Sequence, residues 1–181
     1  MALISQQRIQ QFLAAGDNAQ TTTEKGRALE DLICYIFGKV PGITVTKRNT
    51  LNQFLSEEID VAFWNRRHHN GLYFLQNIIL AECKNWSRPL GSEEVGWFDS
   101  KLRRRAQPFG ILVAANGITG NPADRTAAHD VINAALAEGR QFIVITRHEI
   151  ESLALSIQLV ELIQTKLCEL AVAGTLLFDN A

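Results

Sequence analysis

Cysteine, proline and methionine are scarce in this chain of 181 residues, which contains three, four and one of them. The cysteines Cys34, Cys83 and Cys168 lie far apart without a Cys-x-x-Cys spacing, so neither a disulfide framework nor a structural zinc site is expected. Each stands in an apolar run, where a free cysteine behaves as a small buried hydrophobic residue.

The sequence also lacks a long hydrophobic run and an excess of charge of either sign. No window reaches the roughly 18 uninterrupted apolar residues of a membrane span, and the first residues do not have the pattern of a secretory leader. The 18 Lys and Arg residues nearly balance the 19 Asp and Glu residues. This excludes a protein that coats nucleic acid by bulk charge, although a local basic patch is compatible with it. We therefore expect a soluble, cytoplasmic protein without a membrane partner.

Hydrophobic residues make up 46% of the chain, enough to build the core of one domain. The positions of glycine and proline predict where the helices and strands begin and end, and Thr23 is the predicted N-cap of the second helix. The expected helices cover residues 3–15, 23–38, 92–105, 121–139 and 149–173. The expected strands cover residues 43–46, 58–64, 77–83, 110–115 and 142–146.

The connections between these elements predict a mixed sheet. Asn70-Gly71 is typical of a tight hairpin turn, so the first three strands are expected to form an antiparallel meander. A helix separates the last two strands, which are therefore expected to run parallel. The long apolar helix at 149–173 is expected to pack on the sheet or on a second copy of the protein.

Two of the predicted strands carry ionisable residues that can take part in a chemical reaction. Because side chains alternate along a strand, Asp60 lies opposite to Ile59 and Val61, while Glu82 and Lys84 share one face of the next strand. Neighbouring strands can thus bring Asp60, Glu82 and Lys84 together. A solvated sheet face with a cross-strand ion pair is the simpler alternative.

Two crowded carboxylates repel unless a cation lies between them. Oxygen ligands from Asp60 and Glu82, with the main-chain carbonyl of Cys83, suit Mg²⁺ better than zinc. Lys84 can then orient a water molecule or balance charge on a phosphate, which makes metal-assisted phosphodiester hydrolysis the expected reaction.

A fourth acidic residue stands on the second helix. At about 100° per residue, Leu29, Ile33 and Ile36 form the buried face of that helix, and Glu30 falls at the edge of this face. Glu30 is therefore either a half-shielded site residue or an ordinary acid on the helix surface.

These segments resemble the PD-(D/E)xK superfamily of restriction-endonuclease-like nucleases, and within it the Mrr-like branch associated with type IV restriction. The matching parts are a helix with Glu30, a strand with Asp60 and a strand with Glu82-Cys83-Lys84. The similarity covers about residues 22–150 of an expected single domain, 1–181, with a helical tail at 151–181.

The resemblance implies an α/β fold whose mixed central sheet is flanked by helices, with extra helices at both ends. It further implies one or two Mg²⁺ ions (or Mn²⁺) and hydrolysis of nucleic-acid backbones, usually DNA. By position, Asp60 and Glu82 would be metal ligands, Lys84 the catalytic lysine and Glu30 an additional acid. The residue before Asp60 is Ile59, where the motif's name has Pro.

Basic residues near the motif predict a nucleic-acid contact. A solvated end of the third helix, favoured by the helix dipole, is the alternative for those in its last turn. The predicted contact residues are Arg88, Lys101, Arg103, Arg104 and Arg105. Trp86 and Trp97 could stack on bases or pack on sugars, but for Trp97, as for Trp64, a place in the core is the expectation.

The leading hypothesis is therefore a metal-dependent endonuclease acting on DNA as a homodimer or as a subunit of a larger complex, in restriction, phage defence or repair. RNA is an open alternative, because the cluster acts on the phosphodiester and does not read the 2′-hydroxyl. A nucleic-acid-binding or assembly module with the same fold and no catalysis is the second hypothesis.

Overall fold

The computed structural model describes residues 1–51, 58–120 and 128–176. Helices surround a five-stranded sheet. The strands are β1 Ile43–Leu51, β2 Glu58–Asn65, β3 Ile78–Lys84, β4 Phe109–Ala114 and β5 Gln141–Ile145. The helices are α1 Gln6–Asp17, α2 Thr22–Phe37, α3 Ser92–Arg104, α4 Ala128–Ala137, α5 Arg147–Glu151 and α6 Ser156–Ala173.

The sheet is mixed, and the order of its strands is the order of the chain. The pairs β1–β2 and β2–β3 are antiparallel, while β3–β4 and β4–β5 are parallel. The predicted meander and the parallel pairing of the last two strands are therefore confirmed.

The predicted tight hairpin between β2 and β3 is wrong. A longer connection replaces it, and the buried side-chain amide of Asn65 donates hydrogen bonds to the carbonyls of Leu72, at 2.7 Å, and Gln76, at 3.0 Å. One buried amide thus satisfies carbonyls of a loop that the Asn-Gly signal alone does not specify.

Helices cover both faces of the sheet. Phe37 of α2 stacks on Phe63 of β2, with ring centroids 4.8 Å apart. On the opposite face, Gly110 of β4 lets α3 approach closely, because a Cβ there would lie 2.7 Å from side-chain atoms of Phe98 and Leu102. The result is a three-layer α/β arrangement.

Local capping moves the first two helices relative to the prediction. The cap of α2 is Thr21 instead of Thr23: its hydroxyl accepts from the Glu24 N–H, and the Glu24 carboxylate accepts from the Thr21 N–H. Helix α1 begins after the cap Ser5 and continues through Gly16. The predicted opening of the fourth helix at 121–122 lies outside the described residues.

The C-terminal segment is two helices, so the prediction of one long helix is wrong. The chain leaves the helical path between α5 and α6, where Leu155 forms a β-bridge with Leu3. Helix α6 then buries Leu159, Ile163 and Leu170 and packs against β5 and α2. Of the two predicted packing partners, the sheet is the one observed.

Cys83 is buried as expected, Cys34 is partly buried, and Cys168 is exposed, contrary to the prediction. Cys168 lies on the side of α6 away from the buried residues of this helix, so its apolar neighbours in sequence do not bury it. Among the helices that the structure describes, none is long and apolar enough to cross a membrane.

Candidate active site

A cleft of about 370 Å³ opens where β2 and β3 separate. The last paired residues of these strands are Val61 and Ala81. Asp60 comes directly before Val61 on β2, and one of its carboxylate oxygens accepts a hydrogen bond from the Cys83 N–H at 2.7 Å. The side chain of Asp60 thus lies between the two strands at the point where they separate. Residues 22, 23, 25–27, 30, 49, 58, 60 and 83–86 line the cleft.

The predicted cluster of Asp60, Glu82 and Lys84 forms on the face of the sheet that α3 covers. Burial, followed by the nearby Glu82 carboxylate, raises the pKa of Asp60 to about 6. The hydrogen bond from the Cys83 N–H and the charges of Lys84 and Lys101 act in the opposite direction. Burial and the second carboxylate therefore outweigh the groups that favour the ionised form of Asp60.

Glu82 is almost fully buried and holds two lysines. Its Oε1 lies 2.8 Å from the Lys84 ammonium, and its two oxygens lie 2.6 and 2.7 Å from the Lys101 ammonium. Lys101 comes from α3 and leaves 16% of its side chain exposed. Glu82 is thereby paired with two cations in a site that excludes most water.

Lys84 connects this buried pair to the cleft, which its side chain lines. Burial disfavours the charged form of Lys84, but Glu82 and Asp60 outweigh burial and raise its pKa above the usual value. Lys84 is therefore a fixed positive charge at the cleft wall.

Cys83 contributes its main chain to the cluster. Its side chain is buried on the face that α2 covers, and burial raises the pKa of its thiol well above the usual range. The main-chain carbonyl is the ligand that was expected from the sequence.

Glu30 lines the same cleft from α2 and is buried, which is more than the half-shielded position expected of it and is not the surface acid of the alternative. One carboxylate oxygen of Glu30 accepts hydrogen bonds from Asn49, at 3.0 Å, and from Arg48, at 3.4 Å. Both partners lie on the part of β1 that the sequence analysis did not predict as strand. Glu30 thus belongs to the cleft but is held by β1.

The basic residues at the end of α3 that were predicted to contact nucleic acid differ in their exposure in the structure. Lys101 was expected at the nucleic-acid surface, but its ammonium is turned inward to Glu82, so this placement is wrong. Arg103 and Arg104 are exposed. Arg105 is partly buried and donates to the carbonyl of Lys101 at 3.2 Å. Helical phase explains the division, because Lys101 follows the buried Phe98 by three residues.

Arg88 and Trp86 form a surface pair at the cleft mouth. The guanidinium of Arg88 lies 4.6 Å from the ring centroid of Trp86 and also donates to Glu94 at 2.8 Å. Trp64 and Trp97 are 44% and 59% exposed. The expectation that both lie in the core is wrong, because β2 and α3 each turn one side to solvent.

The donor chemistry of the cluster fits a hard divalent cation, because Asp60, Glu82 and the Cys83 carbonyl offer only oxygen atoms. Within the described residues, however, no three His, Cys, Asp or Glu side chains converge as a ready-made metal site. In their place, the ammonium groups of Lys84 and Lys101 neutralise Glu82.

No protein-family model matches the sequence, and no curated protein has significant similarity to it. The geometry of this cleft is therefore what bears on function. Asp60, Lys84 and Glu30 line it, and Glu82 is buried against Lys84 and against Lys101, which was not expected there.

Proposed function

We propose that the protein is a metal-dependent endonuclease that hydrolyses phosphodiester bonds of DNA. The observation that carries this proposal is the meeting of Asp60, Glu82 and Lys84 where two strands separate: Asp60 and Lys84 line a cleft there, and Glu82 is buried against Lys84. Buried acids next to a lysine are uncommon away from functional sites, since each must be desolvated.

The sheet supports a finer assignment. An antiparallel meander followed by a parallel β-α-β unit, with the cluster on its central strands, is compatible with a restriction-endonuclease-like core of the Mrr type. We accordingly propose a cytoplasmic role in restriction, phage defence or repair.

The proposed roles follow from position. Asp60, Glu82 and the Cys83 carbonyl would hold Mg²⁺ or Mn²⁺, which supplies Lewis-acid stabilisation of charge on the phosphate. Lys84 orients the attacking water and stabilises charge that develops on the phosphoryl oxygens. Glu82 fixes the Lys84 ammonium in position, and Glu30 contributes a further acid at the cleft wall.

The cleft wall also carries positive charge suited to a nucleic-acid backbone. Lys25 and Arg27, in the first two turns of α2, line it together with Lys84. The acids Glu30, Glu58 and Asp60 line it as well. Contacts between the basic side chains and phosphates contribute affinity that does not depend on sequence. Cutting both strands of a duplex requires two sites, so we propose a homodimer or a larger complex as the active species.

Incubation of the purified protein with supercoiled plasmid tests the proposal. We expect cleavage with Mg²⁺ or Mn²⁺, none with EDTA, and a loss of at least about 100-fold in rate for Lys84→Ala. Lys39→Ala, just beyond the C-terminal end of α2, is the matched control and should cleave like the wild type. Cleavage that persists in Lys84→Ala would assign the activity to a contaminant or to another site.

One observation favours a second candidate function, a nucleic-acid-binding or assembly module without catalysis. Both carboxylate oxygens of Glu82 are already bound to Lys101, which leaves this acid fully paired without a metal ion. Intact plasmid, single-stranded DNA and RNA, together with measurable binding of these nucleic acids, would select this candidate.

A further inference from the structure

Two lysines share one buried carboxylate in the candidate active site. Lys101 bonds both oxygens of Glu82, and Lys84 bonds one of them. Lys84 is the lysine that the strand pattern supplies. Lys101 comes from another element, α3, and bonds both oxygens of the carboxylate.

The charges of the cluster balance without a metal ion. Asp60 and Glu82 carry two negative charges, and Lys84 and Lys101 carry two positive charges. A divalent cation added to this arrangement would leave a surplus of two positive charges in a largely buried place, which is strongly disfavoured. It would also find both Glu82 oxygens already bonded.

Departure of Lys101 would remove one of the surplus positive charges and free both Glu82 oxygens from this ammonium. The lysine side chain has a flexible four-carbon stem, so its ammonium can move without displacing α3. A phosphodiester in the cleft brings negative charge that offsets part of the surplus. Metal and nucleic acid should then favour the binding of each other.

We propose that Lys101 is an exchangeable cation that holds Glu82 in the metal-free protein and yields it to a divalent metal ion when a phosphodiester occupies the cleft. Lys101 is thus a positioning residue that couples metal binding to substrate binding. This inference rests on the proposed nuclease function, because it assigns the regulation of the same site.

Titration of the protein with Mn²⁺, followed by the electron paramagnetic resonance signal of the free ion, tests the inference without measuring activity. Lys101→Gln removes the charge but keeps an N–H donor for Glu82, so the fold should be retained; Lys101→Met is the stricter variant. We expect both to bind Mn²⁺ about tenfold or more tightly than the wild type. Lys39→Gln should bind like the wild type, and Glu82→Gln more weakly.

The second arm repeats the titration with a short DNA duplex whose linkages are phosphorothioates. The duplex should tighten Mn²⁺ binding in the wild type, and by a smaller factor in Lys101→Gln, where no ammonium competes. Equal Mn²⁺ affinity in the wild type and in a folded Lys101→Gln protein would overturn the inference and make Lys101 a permanent structural cation.

The two proposals fail separately. If Lys101→Gln tightens Mn²⁺ binding but no nucleic acid is cut, the exchange is real and the nuclease function is wrong. If plasmid is cut while Lys101→Gln binds Mn²⁺ like the wild type, the nuclease function stands and the exchange is wrong.

Discussion

At the scale of single residues, Asp60 shows how a cluster of charged side chains can oppose stability. Its carboxylate is partly buried beside a second carboxylate, and burial outweighs the stabilisation of the charged form by one main-chain N–H and two lysines. The raised pKa means that the folded state binds the Asp60 proton more tightly than the unfolded state does. Ionisation of Asp60 therefore destabilises the fold at neutral pH. This makes the stability of the metal-free protein depend on pH.

We expect Asp60→Asn to be more stable than the wild type at pH 7, in EDTA, by about 1–3 kcal/mol. The folded-state pKa of about 6 lies above the ordinary 3.8. The wild type should therefore lose stability relative to the variant as pH rises from about 4 to about 6, while the Asn carbonyl still accepts from the Cys83 N–H. Urea unfolding at pH 4, 5, 6 and 7 measures the difference; a difference independent of pH would contradict the prediction.

The residues of the cluster could be predicted where they share one periodicity. Alternation along two strands gives the common face of Asp60, Glu82 and Lys84, and the helical period gives the burial of Glu30. The partner of Glu82 on α3 could not be found in this way, because the facing of Lys101 depends on how α3 lies across the sheet. Its position three residues after Phe98 was the available signal.

At the scale of elements, α2 carries a glycine that packing does not require. A Cβ at Gly26 would meet no atom within 4 Å, although Gly26 lies inside the helix and lines the cleft. Glycine inside a helix costs about 0.5–1 kcal/mol relative to alanine. The space that a side chain at position 26 would fill is therefore part of the cleft.

Gly26→Ala should raise the free energy of unfolding by about 0.5–1 kcal/mol and lower plasmid cleavage by about tenfold, because the methyl group narrows the cleft beside Lys84. Gly96→Ala on α3 is the matched control, since a Cβ there also meets no atom within 4 Å. It should give the same gain in stability with unchanged cleavage. Denaturation and plasmid assays on both variants check this, and equal activity of the two would refute a role for Gly26.

The limits of the elements were predictable only where the signal is local. The order of strands and helices follows from apolar periodicity and from glycine and proline. The cap at Thr21 competes with two following threonines, and only the reciprocal bonds with Glu24 select it. The break between α5 and α6 depends on the pairing of Leu155 with Leu3, and no local pattern reports a partner so far away in sequence.

At the scale of the whole molecule, the N-terminal segment is hydrogen-bonded to the chain at the start of α6. The Ile4 N–H donates to the Ala154 carbonyl at 2.9 Å, and the Ser156 N–H donates to the Ala2 carbonyl at 2.9 Å. Ile4 is buried in the same core as α2 and α6. The first residues of the chain are thus part of the domain that also carries the cleft.

Ile4→Ala should lower the free energy of unfolding by about 2–4 kcal/mol, because it leaves a cavity in this core. Leu3→Ala, next to it but 77% exposed, should change stability by less than about 0.5 kcal/mol. Thermal and urea unfolding of the two variants provide the comparison. Similar losses for both would mean that the segment acts through its backbone alone.

The agreement between strand order and chain order has a consequence for synthesis on the ribosome. Each strand that emerges finds its sheet neighbour already made, so the sheet can grow from β1 to β5 without waiting for later sequence. The N-terminal segment is the exception, since its partner Leu155 is translated after all five strands. A nascent chain therefore presents a growing sheet edge and an unpaired N-terminal segment until Leu155 is released, and a chaperone would meet those two features first.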